Sequence, residues 1–239
     1  MNKPPTVLAV FAHPDDEAWV CGGTLAALSS RGVRTVLVTF TRGEKSTQIG
    51  SPKLTARVLA ARRLRELRHS ASILGIRTIH ALKYPDGGLD RVKPSRLDEI
   101  LQYYLNRYKP AAVFTFARDG LTGHSDHQVV ARLVRRIRRQ LSTGLRAKCD
   151  FVFFSYPNTV RRRLNIQLIE QRQRLRRVDT RQFVEKKLRA IFCHQSQVLT
   201  LARIQRYDPD ALRKLFSYEY VALYYRHGKK IAPDIVGLI

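Results

Sequence analysis

Residues 7–17 read Val-Leu-Ala-Val-Phe-Ala-His-Pro-Asp-Asp-Glu, and the change of character at His13 decides the fold. The apolar run Val7–Ala12 suits a strand buried on both faces. Polar residues then open a helix, predicted over Glu17–Ser30, which Gly32 closes. A strand that runs straight into a helix begins a parallel β-α-β unit, and the chain repeats that alternation. Further strands are expected at Arg34–Phe40, Thr78–Leu82, Ala112–Phe116 and Phe151–Phe154, with helices at Leu54–Leu74, Ser95–Tyr108 and Ser125–Leu141. Gly75 and Gly144 stand where two of these helices should end, and Pro110 blocks extension of the third. The fold class that follows is α/β, a Rossmann-like three-layer sandwich with a mostly parallel central sheet. Its active site is expected at the C-terminal ends of the strands.

Beyond residue 154 the pattern is weaker. Thr159–Asp179 fits either a helix or a pair of strands. A helix is expected from Thr180 to about Phe192, another at Asp210–Phe216, and a final aromatic strand at Tyr220–Tyr225. No internal repeat, Gly/Ser linker or low-complexity tract interrupts the chain, so 1–239 reads as one domain. Within it lie an Arg-rich variable segment at about 132–179 and the C-terminal helices and strand of 180–225.

Composition bounds the function. With 239 residues, 44% of them hydrophobic and 9% aromatic, the chain can bury a sizeable core and is not a disordered one. Cys21, Cys149 and Cys193 have no paired spacing, which points to reduced thiols and a cytoplasmic setting. Val7–Ala12 is too short for the apolar part of a secretory leader. No stretch approaches the ~20 apolar residues of a membrane span, so membrane contact is expected to be peripheral at most. The net charge is +25 and is unevenly spread: residues 1–130 hold 19 Lys+Arg against 11 Asp+Glu, and residues 131–239 hold 25 against 8. Most of the second excess lies between Arg132 and Arg177.

His13-Pro14-Asp15-Asp16-Glu17 sits at a strand-to-helix junction, where open α/β sheets bind ligands. A dinucleotide is excluded there: no G-x-G-x-x-G is present, and carboxylates at a helix N-terminus would repel a pyrophosphate. Imidazole and carboxylate together suit a divalent cation such as zinc. The competing reading is that Asp15 and Asp16 cap the helix and His13 is a packed imidazole. A second cluster, Gly123-His124-Ser125-Asp126-His127, follows the strand Ala112–Phe116 and so falls on the same edge of the sheet. His124 and His127, three apart, share a helix face. Two such clusters at matching strand ends favour a hydrolytic metal site, in which three protein ligands leave a position for water. Residue types alone leave open which of Asp15 and Asp16 is a ligand and which a base.

The motifs continue in a recognisable order. After Ala12–Glu17 come Gly22-Gly23-Thr24, Thr41-Arg42-Gly43-Glu44, Arg63-x-x-Glu66, Tyr84-Pro85-Asp86-Gly87-Gly88-Leu89, Gly123–His127 and His194-Gln195-Ser196-Gln197. This series resembles the LmbE-like or PIG-L family of zinc-dependent N-acetylglucosaminide deacetylases. The resemblance implies an enzyme, a hydrolase that removes acetate from an N-acetylglucosaminyl conjugate when a zinc-activated water attacks the acetamide. It implies that His13, Asp16 and His127 hold one zinc, for which another divalent metal is an alternative, and that Asp15 is the general base. It further implies that His124 stabilises the tetrahedral intermediate, with Asp126 orienting its ring; a nearby carboxylate would also keep that imidazole protonated. Arg63, Asp86 and His194 match positions on the sugar side of the family's site.

Each of these last has a plainer reading. Arg63 and Glu66, spaced i,i+3, would also form a surface ion pair. Tyr84–Gly88 would also serve as a tight turn, and His194 as a cap or core residue. Gly22 and Gly23 read as sites of close helix–sheet approach, Cys193 as a small buried hydrophobe, and His69, His80 and His227 have no supporting context. Ser125 stands where the family more often has Pro, and a serine there suits a helix cap. Val160–Asp179 matches no family motif, which leaves the aglycone open.

The positive charge has three readings: attraction of an anionic aglycone or lipid headgroup, phosphate contact in a nucleic-acid-binding or anionic-surface-binding protein with a structural metal site, or solvated helix faces. Nucleic acid is disfavoured, because no recognition motif is present and His and Asp would gather at two strand ends without purpose. An Arg-rich patch at the mouth of the site would favour the first reading, and Arg spread over helix exteriors the third. A homo-oligomer is compatible with all of them.

Overall fold

The computed structural model describes residues 4–47, 54–170, 174–226 and 229–230. In chain order the elements are β1 (Thr6–Phe11), α1 (Asp16–Ser30), β2 (Arg34–Thr39), α2 (Ala56–Leu74), β3 (Thr78–Ala81), α3 (Pro94–Tyr108), β4 (Ala112–Phe116), the short turn α4 (Gly120–Gly123) and α5 (Ser125–Gln140). Then follow α6 (Thr143–Lys148), β5 (Asp150–Phe154), α7 (Asn158–Leu164), β6 (Arg176–Asp179), α8 (Val184–Phe192), α9 (Val198–Gln205), α10 (Pro209–Phe216), β7 (Tyr218–Arg226) and β8 (Lys229–Lys230).

One eight-stranded sheet runs β3-β2-β1-β4-β5-β7-β6, with β8 on β7. The first four pairings, β3–β2, β2–β1, β1–β4 and β4–β5, are parallel, and those made by β7 are antiparallel. Strands β4 and β5 are buried along their whole length, as a sheet covered on both faces requires. Strand order moves outward from β1 to β2 and β3, then reverses to β4 and β5. Right-handed crossovers therefore send α1 and α2 to one face and α3 and α5 to the other. The contacts agree: α1, α2 and α8 pack together, and α3 packs on α5. The reversal opens a crevice between the C-terminal ends of β1 and β4, the place where such sheets bind ligands.

The C-terminal region closes the fold by one buried contact set. Helix α1 breaks at Cys21 (φ −148°, ψ 30°). Just beyond the break, the N–H groups of Gly23 and Thr24 donate to the Glu219 carboxylate of β7 at 2.8 and 2.9 Å. Glu219 also accepts from Lys187 Nζ of α8 at 2.6 Å, both side chains being fully buried. Gly23 is the close approach expected from sequence, since a Cβ there would lie 2.6 Å from Thr180.

The ambiguous segment Thr159–Asp179 holds a helix first, α7, and a strand last, β6, with 171–173 outside the described residues. Helix α9 was not expected. His227 also lies outside the described residues. Among the described residues the three cysteines are free, and no helix is long and apolar enough to cross a membrane.

Candidate active site

Strand β1 delivers His13 into the crevice, and the turn behind it is held by side chains. Asp16 Oδ2 accepts the N–H groups of Ala12 and His13 at 3.2 and 2.8 Å. Asp15 takes a positive φ of 102°, a conformation costing about 1–3 kcal/mol in a non-glycine residue. It does not cap α1 through its side chain. Instead its N–H donates to Glu17 Oε2 (3.0 Å), and its Oδ1 faces Arg63 Nη2 at 3.3 Å.

Three donor atoms converge at the bottom of the crevice. His13 Nδ1 and His127 Nε2 are 3.0 Å apart, His127 Nε2 is 3.2 Å from Asp16 Oδ1, and His13 Nδ1 is 3.8 Å from Asp16 Oδ2. His13, His124 and His127 each offer a ligand atom within 4.8 Å of the others, as do His13, Asp86 and Asp126, so the crevice has the donors for a divalent cation, with Asp16 beside the first group. The outer imidazole nitrogens are also engaged. His13 Nε2 reaches Asp126 Oδ2 at 3.1 Å and Asp86 Oδ1 at 3.0 Å, and His127 Nδ1 reaches the Gly120 carbonyl at 2.9 Å. Such contacts fix ring orientation and tautomer in metal sites. The His127 ring stacks on Phe116, the last residue of β4, with centroids 4.2 Å apart.

Burial and neighbours oppose each other on these groups. Burial pulls the His13 imidazole down, but the carboxylates of Asp126, Asp86 and Asp16 outweigh it and push it up to about 10. Burial pushes Asp15 up to about 6 against the pull of Arg63. Burial would also raise Asp16 and Asp86, yet the imidazoles of His127 and His13 hold both at about 2.

Several sequence expectations change. Asp126 does not orient His124 with its carboxylate. That carboxylate accepts the N–H groups of Gly87 (2.7 Å) and Leu89 (3.0 Å) besides facing His13, so the Tyr84–Gly88 turn is also its receptor. His124 is the extended N-cap of α5 (φ −60°, ψ 134°) while Asp126 lies in its first turn, so the two side chains leave the backbone in different directions. What Asp126 gives His124 is its backbone N–H, donated to Nδ1 at 3.2 Å. The pKa of His124 is lowered, by burial and by the neighbouring His13 and His127 rings, so it is not held as a cation. With Nδ1 accepting, the neutral ring carries its proton on Nε2 and remains a donor.

Arg63 is not in a surface pair with Glu66. It is buried and donates to the carbonyls of Gly43 (3.1 Å) and Pro14, while Arg62 takes Glu66 at 3.1 Å. A Cβ on Gly43 would collide with the Arg63 guanidinium, so glycine is required there. His194 is fully buried and does not line the cavity; its Nε2 donates to Glu17 Oε1 at 2.8 Å from behind Asp15. Glu17 also accepts from Ser70 Oγ at 2.5 Å. Sequence reading assigned Glu17 and Ser70 no role. The signal available for Glu17 was an acidic residue one position inside a helix whose following residues, Ala18-Trp19-Val20-Cys21, are apolar, and a carboxylate buried there must find partners.

The donors open into a cavity of about 740 Å³. Trp19 and Tyr156 form one wall, and Leu164, Asn165, Ile166 and Gln167 another. Among the described residues, the arginines between Arg132 and Arg177 do not line it. Arg136 pairs with Asp98, Arg138 and Arg177 lie over Tyr225 and Tyr218, and Arg161 is buried, holding the carbonyls of Tyr156 and Gln167. Exposed Lys45 and half-buried Arg203 supply the positive charge at the mouth.

Comparison with known proteins gives a consistent outcome. A family model described as "PIG-L: GlcNAc-PI de-N-acetylase" matches residues 8–138, just over half of the chain. The chain is 29% identical over 201 residues to the probable N-acetyl-alpha-D-glucosaminyl L-malate deacetylase 2 of Bacillus anthracis, covering 84% of each protein. It is 32% identical over 155 residues to the 1D-myo-inositol 2-acetamido-2-deoxy-alpha-D-glucopyranoside deacetylase 1 of Saccharopolyspora erythraea, covering 53% of this chain and 51% of that one. The N,N'-diacetylchitobiose deacetylase structure from Pyrococcus horikoshii superposes with a TM-score of 0.65 at 23% identity, over 91% of this chain and 84% of that one, and so shares the fold.

Proposed function

Since the chain belongs to the PIG-L family of de-N-acetylases, we propose that it hydrolyses the acetamide of an N-acetylglucosaminyl conjugate whose aglycone is acidic. The observation that carries this reading is the convergence of His13 Nδ1, His127 Nε2 and the Asp16 carboxylate beside Asp15 at the foot of the cavity. Those three side chains would hold zinc. When bound, zinc supplies Lewis-acid polarisation of the acetamide carbonyl and lowers the pKa of a water.

The chain's own groups do the rest. Asp15, raised to about 6, accepts a proton of the attacking water and passes it to the leaving amine, so acetic acid and free amine account for all atoms, and the acid then releases its proton to solvent as acetate. Arg63 keeps the Asp15 carboxylate turned toward the cavity. His124 donates Nε2–H to the oxygen on which negative charge develops. Asp86 and Asp126 fix the His13 ring through its outer nitrogen. Lys45 and Arg203, at the mouth, are placed to receive a carboxylate or phosphate on the aglycone, as the L-malate in the name of the Bacillus relative illustrates.

The test is release of free amine from N-acetylglucosamine joined to malate, inositol or a second sugar, with zinc-loaded protein. Wild type should turn over the malate conjugate best. Asp15→Asn should lose activity by a factor of at least about 100, the lower range for a general base, while binding the same zinc. A zinc-loaded wild type inert on the whole panel, or an Asp15→Asn variant equal to it, would overturn the proposal.

A further inference from the structure

A second cavity, of about 310 Å³, lies outside the site described above, at the β3 edge of the sheet where α2 and α3 flank it. Arg42 and Arg68 line it together with His80 and Tyr104, and Leu64 and Ile79 are among its apolar walls. Among the described residues no carboxylate lines it. Among the described residues neither arginine makes an ion pair or hydrogen bond, and Arg42 Nε is buried without a partner. A buried guanidinium N–H with nothing to donate to is rare in a folded protein and marks a place where an acceptor belongs. His80 does not supply one: its Nε2 is engaged by Tyr108 Oη at 2.6 Å, and burial and the nearby Arg107 lower its pKa. Two guanidinium charges thus share one cavity with no counter-charge.

We propose that this cavity is a binding site for a small phosphate-bearing anion, inorganic phosphate or a phosphomonoester. Three features select that chemistry. Two fixed cations are balanced by one dianion, and a phosphate carries about −1.5 to −2 at neutral pH where a carboxylate carries one charge. Guanidinium forks match phosphate oxygens in pairs of parallel hydrogen bonds. The volume is at the lower end of the roughly 300–1,000 Å³ usual for small-molecule sites, and the Tyr104 and Ile79 walls suit a short organic body beside the charged head. The site is separate from the cavity holding His13 and Asp15, because the two share no lining residue. They meet only through the backbone: Arg42 precedes Gly43, whose carbonyl receives Arg63.

The experiment is calorimetric titration of the zinc-loaded protein with inorganic phosphate, then with acetate at matched ionic strength. Apart from any anion held by Lys45 and Arg203 in the other cavity, wild type should bind one phosphate saturably that Arg203→Gln does not remove, and acetate at that site much more weakly. Arg42→Gln and Arg68→Gln should each raise the Kd for phosphate about ten-fold, the effect of losing one hydrogen bond to a charged group. Arg68 is exposed, so Arg68→Gln should keep the wild-type melting temperature and deacetylase rate, which separates loss of the site from loss of the fold. Arg203→Gln, in the other cavity, should leave this Kd unchanged. No saturable binding by about 10 mM, equal Kd in wild type and both arginine variants, or acetate as tight as phosphate would each overturn the proposal.

Discussion

Glu17→Gln tests whether the buried layer behind Asp15 serves the reaction or only the fold. Glu17 Oε1 accepts from Ser70 Oγ at 2.5 Å and His194 Nε2 at 2.8 Å, and Oε2 accepts the Asp15 N–H at 3.0 Å. A glutamine has one oxygen for these donors. If the oxygen stays with Ser70 and His194, the new NH2 group opposes the Asp15 N–H. If the amide turns over, the NH2 meets the His194 ring, whose proton must move to Nδ1, a buried atom with no partner. Either arrangement leaves one buried donor unpaired, at about 1–3 kcal/mol. Because Asp15 already occupies an unfavourable φ of 102°, losing its pin lets the turn relax and swings its carboxylate away from the reacting water. If the whole cost falls on the transition state, kcat drops roughly 5- to 150-fold. KM and zinc content should be unchanged, since Glu17 does not line the cavity. The assay is steady-state amine release with metal analysis and a thermal melt on the same samples. A variant whose kcat stays within about two-fold of wild type while its melting temperature falls would place the entire cost in stability, and the positioning argument would be wrong.

Two further outcomes are expected. Glu219→Gln removes the charge opposite Lys187 and one acceptor of the Gly23 and Thr24 N–H groups, so it should cost about 3–5 kcal/mol in denaturant unfolding, the usual penalty for stranding half of a buried pair. A shift under about 1 kcal/mol would show that water reaches the pair. Arg203→Gln should raise KM about ten-fold for a malate-type conjugate and hardly at all for a neutral disaccharide, read from initial rates; an equal rise for both would remove Arg203 from aglycone recognition.

The parts of the fold that were legible in the sequence are those whose local pattern and tertiary fate coincide. The run Val7–Ala12 and its counterparts at 34–40 and 112–116 are apolar because both faces of the sheet are covered. β6 was hidden for the opposite reason. Arg176-Arg177-Val178-Asp179 is a polar, largely exposed edge segment, made a strand only by its register on β7. α9 was missed although α10, of the same length, was read, because α10 is announced by the Asp208 cap and Pro209, whereas α9 follows Gln197, which makes no side-chain cap. In the site, His13 and His127 were legible as chemistry at two strand ends, which topology then brings within 3.0 Å. The partners of Asp126 and His194 were not, since which neighbour a carboxylate or ring meets depends on helix phase and on elements over a hundred residues away. The family resemblance assigned Asp126 to His124, whereas here its carboxylate turns to Gly87, Leu89 and His13, and only its backbone N–H meets His124.

The same distinction bears on the positive charge. The arginines of α5, α7 and β6 are engaged with Asp98, Tyr225, Tyr218 and the backbone of the cavity wall, or face solvent. Their collective field reaches substrate only at long range, where ions at about 0.15 M screen it beyond roughly 8 Å. Such a field raises the encounter rate of any anion and does not choose among anions. Choice requires contact, and at the mouth contact is offered by Lys45 and Arg203, one in the more weakly charged half of the chain and one beyond the Arg-dense block. Arg161 acts between these two roles. Its buried guanidinium lines no cavity among the described residues, but it holds the carbonyls of Tyr156 and Gln167, one residue from each of the two walls. Arg161 thus spends its hydrogen bonds on the protein, at the backbone of two cavity-lining residues.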